Sequence, residues 1–250
     1  METQVRNSES QLPAVPAGRL SNPCPAGRGP VPGTARSAAG RAHLHATTLA
    51  ALPAIAGWCT ARKALWLSDL IAENGCTQVL EVGIFGGKSL IPMALAVREC
   101  APGGQVYGIE AWSSDVAGAA AANAENDAWW REVELKAIKA GFLRNLLDNE
   151  LAGIVNVLEM SPDEAFKCLT AIGLDQFDLI HVGGSHSEVQ AVHAAGMWPG
   201  LLRPGGILVL DDIGRQWVQG ARGYLTANLS VIEEVFEPAG AAYGAYRRRS

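Results

Sequence analysis

With 250 residues, 48% of them apolar, the chain is long enough to bury one sizeable core, and one domain is expected. The formal charge of -5 and pI near 5.6 come without a basic block or stripe, so the electrostatic footprint of a nucleic-acid binder is missing. Five scattered cysteines, Cys24, Cys59, Cys76, Cys100 and Cys168, form no C-x-x-C pair, which argues against a disulfide framework or a zinc site and fits a reducing compartment. No apolar run approaches the roughly 20 residues that span a bilayer, so a cytoplasmic protein without membrane contact is expected.

Residues 1–45 differ in kind from the rest. They hold six of the thirteen prolines and five arginines but only two acids, Glu2 and Glu9, and read as a disordered Pro/Gly/Arg-rich tail. The Arg-rich, acid-poor composition imitates a transit peptide, yet Pro and Gly spoil the amphipathic helix, and the apolar segment of a secretion signal is absent. Residues 46–250 then form the folded domain.

From Ala46 to Asn74 the pattern predicts one or two helices, with a break at Pro53 and a stop at Asn74-Gly75. T-Q-V-L-E-V-G is a short apolar strand ending at a glycine, followed by I-F-G-G-K-S and a helical run. A second strand is expected at 105–112, then a long stretch from Asp115 to Leu151 read as two helices. The third strand is placed at 154–160, where S-P-D-E opens a helix with Ser161 as N-cap, Pro162 at the first position and Glu164 closing a capping box. Strands follow at 177–182 and 206–212, separated by a helix over 187–202. After another helix near 216–228, two runs joined by E-P-A-G predict a closing antiparallel hairpin. Strands alternating with helices mean right-handed crossovers, so the expected fold class is α/β, a Rossmann-like, doubly wound, mostly parallel sheet of seven strands. Its ligand belongs outside the carboxyl ends of the central strands.

The chemistry-bearing residues cluster at those ends. Gly83 leaves the first strand where a side chain would block a ligand, and Gly86 and Gly87 permit a tight turn with close backbone approach. Phe85 stands where a dinucleotide loop has its second glycine, and Val82 where a Walker loop has its first, so neither phosphate-binding motif is complete. Glu110 ends the second strand 27 positions after Gly83, about where such folds place the carboxylate that accepts hydrogen bonds from a ribose. Trp112 is suited either to cover an adenine face or to sit in the core. I-H-V-G-G-S-H-S ends the fourth strand, and L-D-D the fifth.

E-V-G-I-F-G-G-K-S, G-I-E-A-W, the Ser161 turn, F-D-L-I-H-V-G-G-S-H and L-R-P-G-G-I-L-V-L-D-D stand in the order and spacing of class I S-adenosylmethionine-dependent methyltransferases. The chain resembles their bacterial small-molecule O-methyltransferase group, which includes catechol-type and macrolide-sugar enzymes, over residues 60–247. The resemblance implies that Glu81 and Gly83 hold the methionine amino end, that Gly87 lets the backbone close on it and that Ser89 binds its carboxylate. It further implies that Glu110 clasps the ribose, Ala111 and Trp112 line the adenine side, and Ser161 bonds the adenine edge. Metal-dependent relatives end the fourth strand with an aspartate; here that position is Gly183, which is expected to border the methyl donor, with Asp211 at the catalytic centre. Asp211 and Asp212 survive and suit a weakly held divalent ion such as magnesium. His186 takes the place of the general base, its ordinary pKa near 6.5 suiting removal of a hydroxyl proton. His181 reads as a buried, hydrogen-bonded core residue. The expected reaction is methylation of a hydroxyl on a small-molecule acceptor, a sugar or secondary metabolite. A hydroxylase-like relative and a non-catalytic relative on the same fold stay open as alternatives. Trp129-Trp130 in the insertion fits a homodimer contact.

Overall fold

The computed structural model describes residues 37–119, 124–183 and 187–249. In chain order the elements are α1 (Ala38–Ala51), α2 (Ala61–Asn74), β1 (Gln78–Val82), α3 (Leu90–Cys100), β2 (Gln105–Ile109), α4 (Ser114–Ala119), α5 (Ala124–Glu132) and α6 (Leu135–Asp148). They continue as β3 (Val155–Leu158), α7 (Pro162–Ala171), β4 (Phe177–Val182), α8 (Glu188–Met197), β5 (Leu202–Asp211), α9 (Gln219–Asn228), β6 (Ser230–Phe236) and β7 (Ala242–Arg247). The seven strands form one sheet in the order β3-β2-β1-β4-β5-β7-β6, parallel from β3 to β5, with β7 antiparallel to both of its neighbours. This is the expected Rossmann-like architecture with its terminal hairpin.

Local chemistry sets the boundaries. Ser37 caps α1 by accepting from the Gly40 N–H at 3.0 Å, so this helix starts inside the stretch expected to be tail; residues 1–36 lie outside the described residues. Pro53 stands in a short 3-10 turn that separates α1 from α2, and Gly75 ends α2 in the left-handed region with φ 60. The Ser161–Glu164 capping box opens α7 as expected. Three departures are instructive. Among the described residues of the 115–151 stretch, which was expected to hold two helices, helical segments run over Ser114–Ala119, Ala124–Glu132 and Leu135–Asp148. The second and third strands stop short, at Ile109 and Leu158. The fifth starts early, at Leu202, because Leu202 already pairs with Phe177 across a register shift.

Strand parity divides the core. Val79, Leu179, Ile207 and Val209 face one side, where α1, α2, α3 and α6 pack; Leu80, Val82, Ile180, Val182, Leu208 and Leu210 face the other, towards α7, α8 and α9. At the amino ends of the strands, Asp178 Oδ2 accepts from the Thr77 and Gln78 N–H groups at 2.6 and 2.8 Å, and Oδ1 accepts from Arg203. That acid pins the sheet at the end away from the cleft.

Gly87 has φ 88, and a Cβ built there would come within 2.6 Å of the Phe142 ring on α6. Gly75 also has a positive φ, but open space surrounds it. Gly87→Ala is therefore expected to lower unfolding stability by roughly 1–3 kcal/mol from overpacking in addition to backbone strain. Gly75→Ala should show only the strain of a left-handed residue, about 1–2 kcal/mol. Urea unfolding of both variants checks the order; equal losses would refute the packing role of Gly87.

Candidate active site

Parity fixes which side chains meet at the carboxyl edge. Glu81 lies two residues after Val79, His181 two after Leu179 and Asp211 two after Val209, so all three project to the face covered by α2. Glu81 and His181 are register partners across β1 and β4. His181 Nδ1 lies 2.7 Å from Glu81 Oε1, and its Nε2 lies 3.0 Å from Asp211 Oδ1. Lys63 descends from α2 onto this row: its Nζ donates to Asp211 Oδ2 and stands 3.1 Å from His181 Nε2 and 5.7 Å from the centre of the Tyr243 ring. Ser89 Oγ donates to Glu81 Oε1. Glu81 and His181 are 0% and 1% exposed, whereas the Asp211 side chain keeps 24% of its surface and lines the cleft.

The charges stabilise one another. Burial works against ionised Asp211, but the Lys63 ammonium and His181 outweigh it and hold the carboxyl well below the usual range. Burial likewise opposes the charge on Lys63, yet Asp211 raises its pKa overall. For His181, burial and Lys63 favour the neutral ring, while Asp211 and Glu81 prevail and push its pKa up. Burial and the negative charge of Asp211 push Asp212 up; Asp212 sits at φ 56 with its Oδ1 4.0 Å from Arg215 Nε. Burial pushes the Cys59 thiol up to about 12, so it stays protonated at neutral pH.

A second group forms around Glu110. Its Oε2 accepts from the Phe85 N–H at 2.9 Å and its Oε1 from the Trp112 N–H at 3.2 Å. Phe85 and Trp112 have φ 51 and 42, left-handed values that bulky residues rarely adopt. The Trp112 indole N–H donates to the Phe85 carbonyl at 2.9 Å, which latches the two turns together. Burial raises the Glu110 pKa, partly offset by these backbone donors.

Both groups border one cleft of about 1120 Å³. Gly83, Ser89, Glu110, Ala111, Ser161, Gly183, Asp211 and Asp212 line it, so most of the expected site residues converge. Three of them stand outside the wall: Glu81 is fully buried behind it, and the other two serve packing. Gly87 is absent from the wall because its lack of a side chain makes room for Phe142. Trp112 is buried against Phe142, 5.7 Å between ring centres, and braces the turn instead of lining the adenine side. The Ser161 hydroxyl donates to Glu164 at 2.6 Å, and that of Ser89 is committed to Glu81. His186 lies outside the described residues. The paired tryptophans, the basis for expecting a homodimer contact, both line the cleft, with Trp129 stacked 5.4 Å from Trp58.

Lys63 and the catalytic-edge position of His181 escaped the sequence reading. The signals were a cation in phase with Leu67, Leu70 and Ile71 on the apolar stripe of α2, and polar residues of matching parity in two otherwise mostly apolar strands.

The donors around Asp211 and Asp212 do not suit a divalent metal. Both oxygens of Asp211 are engaged, one of them by an ammonium, and among the described residues no group of three or more His, Cys, Asp or Glu could hold one.

The methyltransferase domain family model matches residues 80–213, just over half of the chain. The fold is similar to that of TomG, an O-methyltransferase of Streptomyces achromogenes involved in tomaymycin synthesis and solved with its methyl donor, S-adenosylmethionine. The TM-score is 0.59 and the identity 18%, over 82% of this chain and 90% of that one. It is also similar to an O-methyltransferase from Bacillus cereus solved with S-adenosylhomocysteine, with TM-score 0.57 and 18% identity over 85% of this chain and 92% of that one. At such identities these structures establish the fold alone; no curated protein matches the chain. By the span of the family match, with the sheet order and cleft to support it, the chain belongs to the methyltransferase domain family.

Proposed function

We propose that the protein is an S-adenosylmethionine-dependent O-methyltransferase acting on a hydroxyl of a small molecule. The observation that carries this reading is Glu110. Two residues in strained left-handed conformations each donate a backbone N–H to it, one per carboxylate oxygen, and strain of this kind, about 1–3 kcal/mol per residue, persists where function demands it. Backbone N–H groups hold the carboxylate in one orientation beside the cleft, with acceptor capacity left for the vicinal diol of a ribose. Glu81 is fully buried and stands behind the cleft wall, where it holds Ser89 and His181 in place, so it serves the donor through the residues it fixes. Gly83 and Ala111 border the same space with backbone and little side chain, and Ser161 lies at its far wall.

Bound there, S-adenosylmethionine supplies a methyl group on a sulfonium that already carries a good leaving group. The acceptor hydroxyl must lose its proton as it attacks. Asp211 is unsuited to take it, because Lys63 and His181 hold its carboxyl far below neutrality and make it a weak base. Lys63 carries its full set of protons, and both ring nitrogens of His181 are engaged. His186, three positions after Gly183 in the chain, is the group we assign as base, with Asp211 orienting the acceptor from the end of β5.

Three outcomes follow. In calorimetry, the protein binds S-adenosylhomocysteine, and Glu110→Ala weakens binding by roughly 10–100-fold, the worth of hydrogen bonds to a charged group. No heat from the wild type at millimolar ligand would refute the donor assignment. With radiolabelled donor and a panel of phenols, catechols and sugars, His186→Ala lowers turnover by roughly 10²–10⁴-fold while donor affinity holds. If His186→Ala is active and Asp212→Asn is not, the base lies on the β5 side. Finally, the depressed carboxyl of Asp211 contributes stability that is complete above its unfolded pKa, near 3.9, and is lost as pH falls through its lower folded value. Asp211→Asn strands the Lys63 charge and should cost about 3–5 kcal/mol at pH 7, the gap from wild type narrowing below about pH 4. Urea midpoints at both pH values measure this.

A further inference from the structure

The resemblance to metal-dependent methyltransferases implies an aspartate at the end of the fourth strand, near the acids that end the fifth. Here the fourth strand ends in Gly183, and a Cβ built there would stand 3.5 Å from Asp211 Oδ2. An acid at this position would place a second carboxylate beside Asp211, and two carboxylates this close need a cation between them. The cation on this edge comes from α2. Lys63, 5% exposed, donates its ammonium to that same Asp211 Oδ2 and lies 3.1 Å from His181 Nε2. Asp211 Oδ1 lies 3.0 Å from the other member of the row, His181 Nε2. A magnesium ion needs near-octahedral oxygen at about 2.0–2.1 Å, and it cannot approach Asp211 Oδ2 without meeting the Lys63 ammonium.

We propose that Lys63 provides, as a built-in ammonium, the positive charge that a divalent ion provides in metal-dependent relatives, so that the site works without a metal. The inference rests on the methyltransferase reading. Lys63 is a positioning residue: it fixes Asp211 and His181 in one orientation and balances their charge at the edge where the acceptor enters. A lysine suits this task because its ammonium is a compact point charge on a flexible stem. The stem reaches from α2, which the sheet does not otherwise connect to the end of β5.

Manganese is the probe, followed by the loss of the free-ion electron paramagnetic resonance signal, with the full chain dialysed against EDTA beforehand. The wild type is expected to leave Mn²⁺ free up to about 1 mM, the weak end of biological divalent sites. Lys63→Ser combined with Gly183→Asp removes the ammonium and restores the acid, and should bind Mn²⁺ at least ~10-fold more tightly than wild type, about 1.4 kcal/mol. Stoichiometric uptake by the wild type at about 100 μM would overturn the proposal. So would a folded double variant, judged by its melting and by S-adenosylhomocysteine binding, that takes up no more Mn²⁺ than wild type. If the double variant does not fold, the wild-type titration decides alone. Binding of S-adenosylhomocysteine in EDTA is measured beside it: its absence refutes the donor reading, whereas Mn²⁺ uptake by a donor-binding wild type refutes only this one.

Discussion

The buried row Glu81–His181–Asp211–Lys63 is the constraint around which the rest of the site is arranged. Four ionisable groups lie on one face of a sheet, three of them almost without solvent, where an isolated charge costs several kcal/mol. Each is tolerable only because its neighbours are charged or hydrogen-bonded in the right sense, so the group holds together as a unit. The arrangement requires the register that opposes Glu81 to His181 and the parity that puts Asp211 on the same face. A slip of one residue in β4 would turn His181 towards α8 and remove the group that links Glu81 to Asp211. Register, helix placement and electrostatics are thus coupled at a single point.

The cleft has two halves of different construction. Around Glu110 the walls are mostly backbone: Gly83, Ala111 and the two left-handed turns at Phe85 and Trp112, latched by the Trp112 indole. Backbone donors have no rotamer freedom to lose, so a site made from them is preorganised for one ligand shape. The other half is made of side chains. Trp58, 67% exposed, packs 4.8 Å from Phe85 and 5.4 Å from Trp129 at the mouth. Aromatic rings of this kind offer area and a polar edge to a variable partner. A fixed half and an adaptable half are what a transferase with one donor and a selectable acceptor requires.

How much of this the sequence discloses depends on whether a residue obeys a local rule. Pro53, Gly75, the Ser161–Glu164 box and the strand alternation were legible because each acts within a few residues of itself. Glu110 was legible because strand-end acids have a stereotyped spacing from the glycine turn. Gly87 and Trp112 were placed against the ligand, yet both serve the packing of α6, since an absent side chain and a large aromatic one each admit two explanations that only tertiary contacts separate. His181 was seen as buried and bonded but without its partners, which lie 100 and 30 residues away in the chain. Lys63 left the fainter trace of a cation on an apolar helical stripe, where snorkelling to the surface is the commoner outcome.

Gly183 then takes on a different meaning. Read alone, the missing acid signals a site that has lost its metal and with it some function. Seen with Lys63, it is one half of an exchange in which charge is conserved. Counting only the groups exchanged, one carboxylate and one unit of cationic charge leave together, so the net charge of the edge is unchanged. Removing a carboxylate and replacing a dication by a monocation must go together, because either change alone shifts the edge by a full charge in a poorly solvated place. The glycine is also the residue that keeps a second carboxylate from crowding Asp211 Oδ2, the oxygen Lys63 needs.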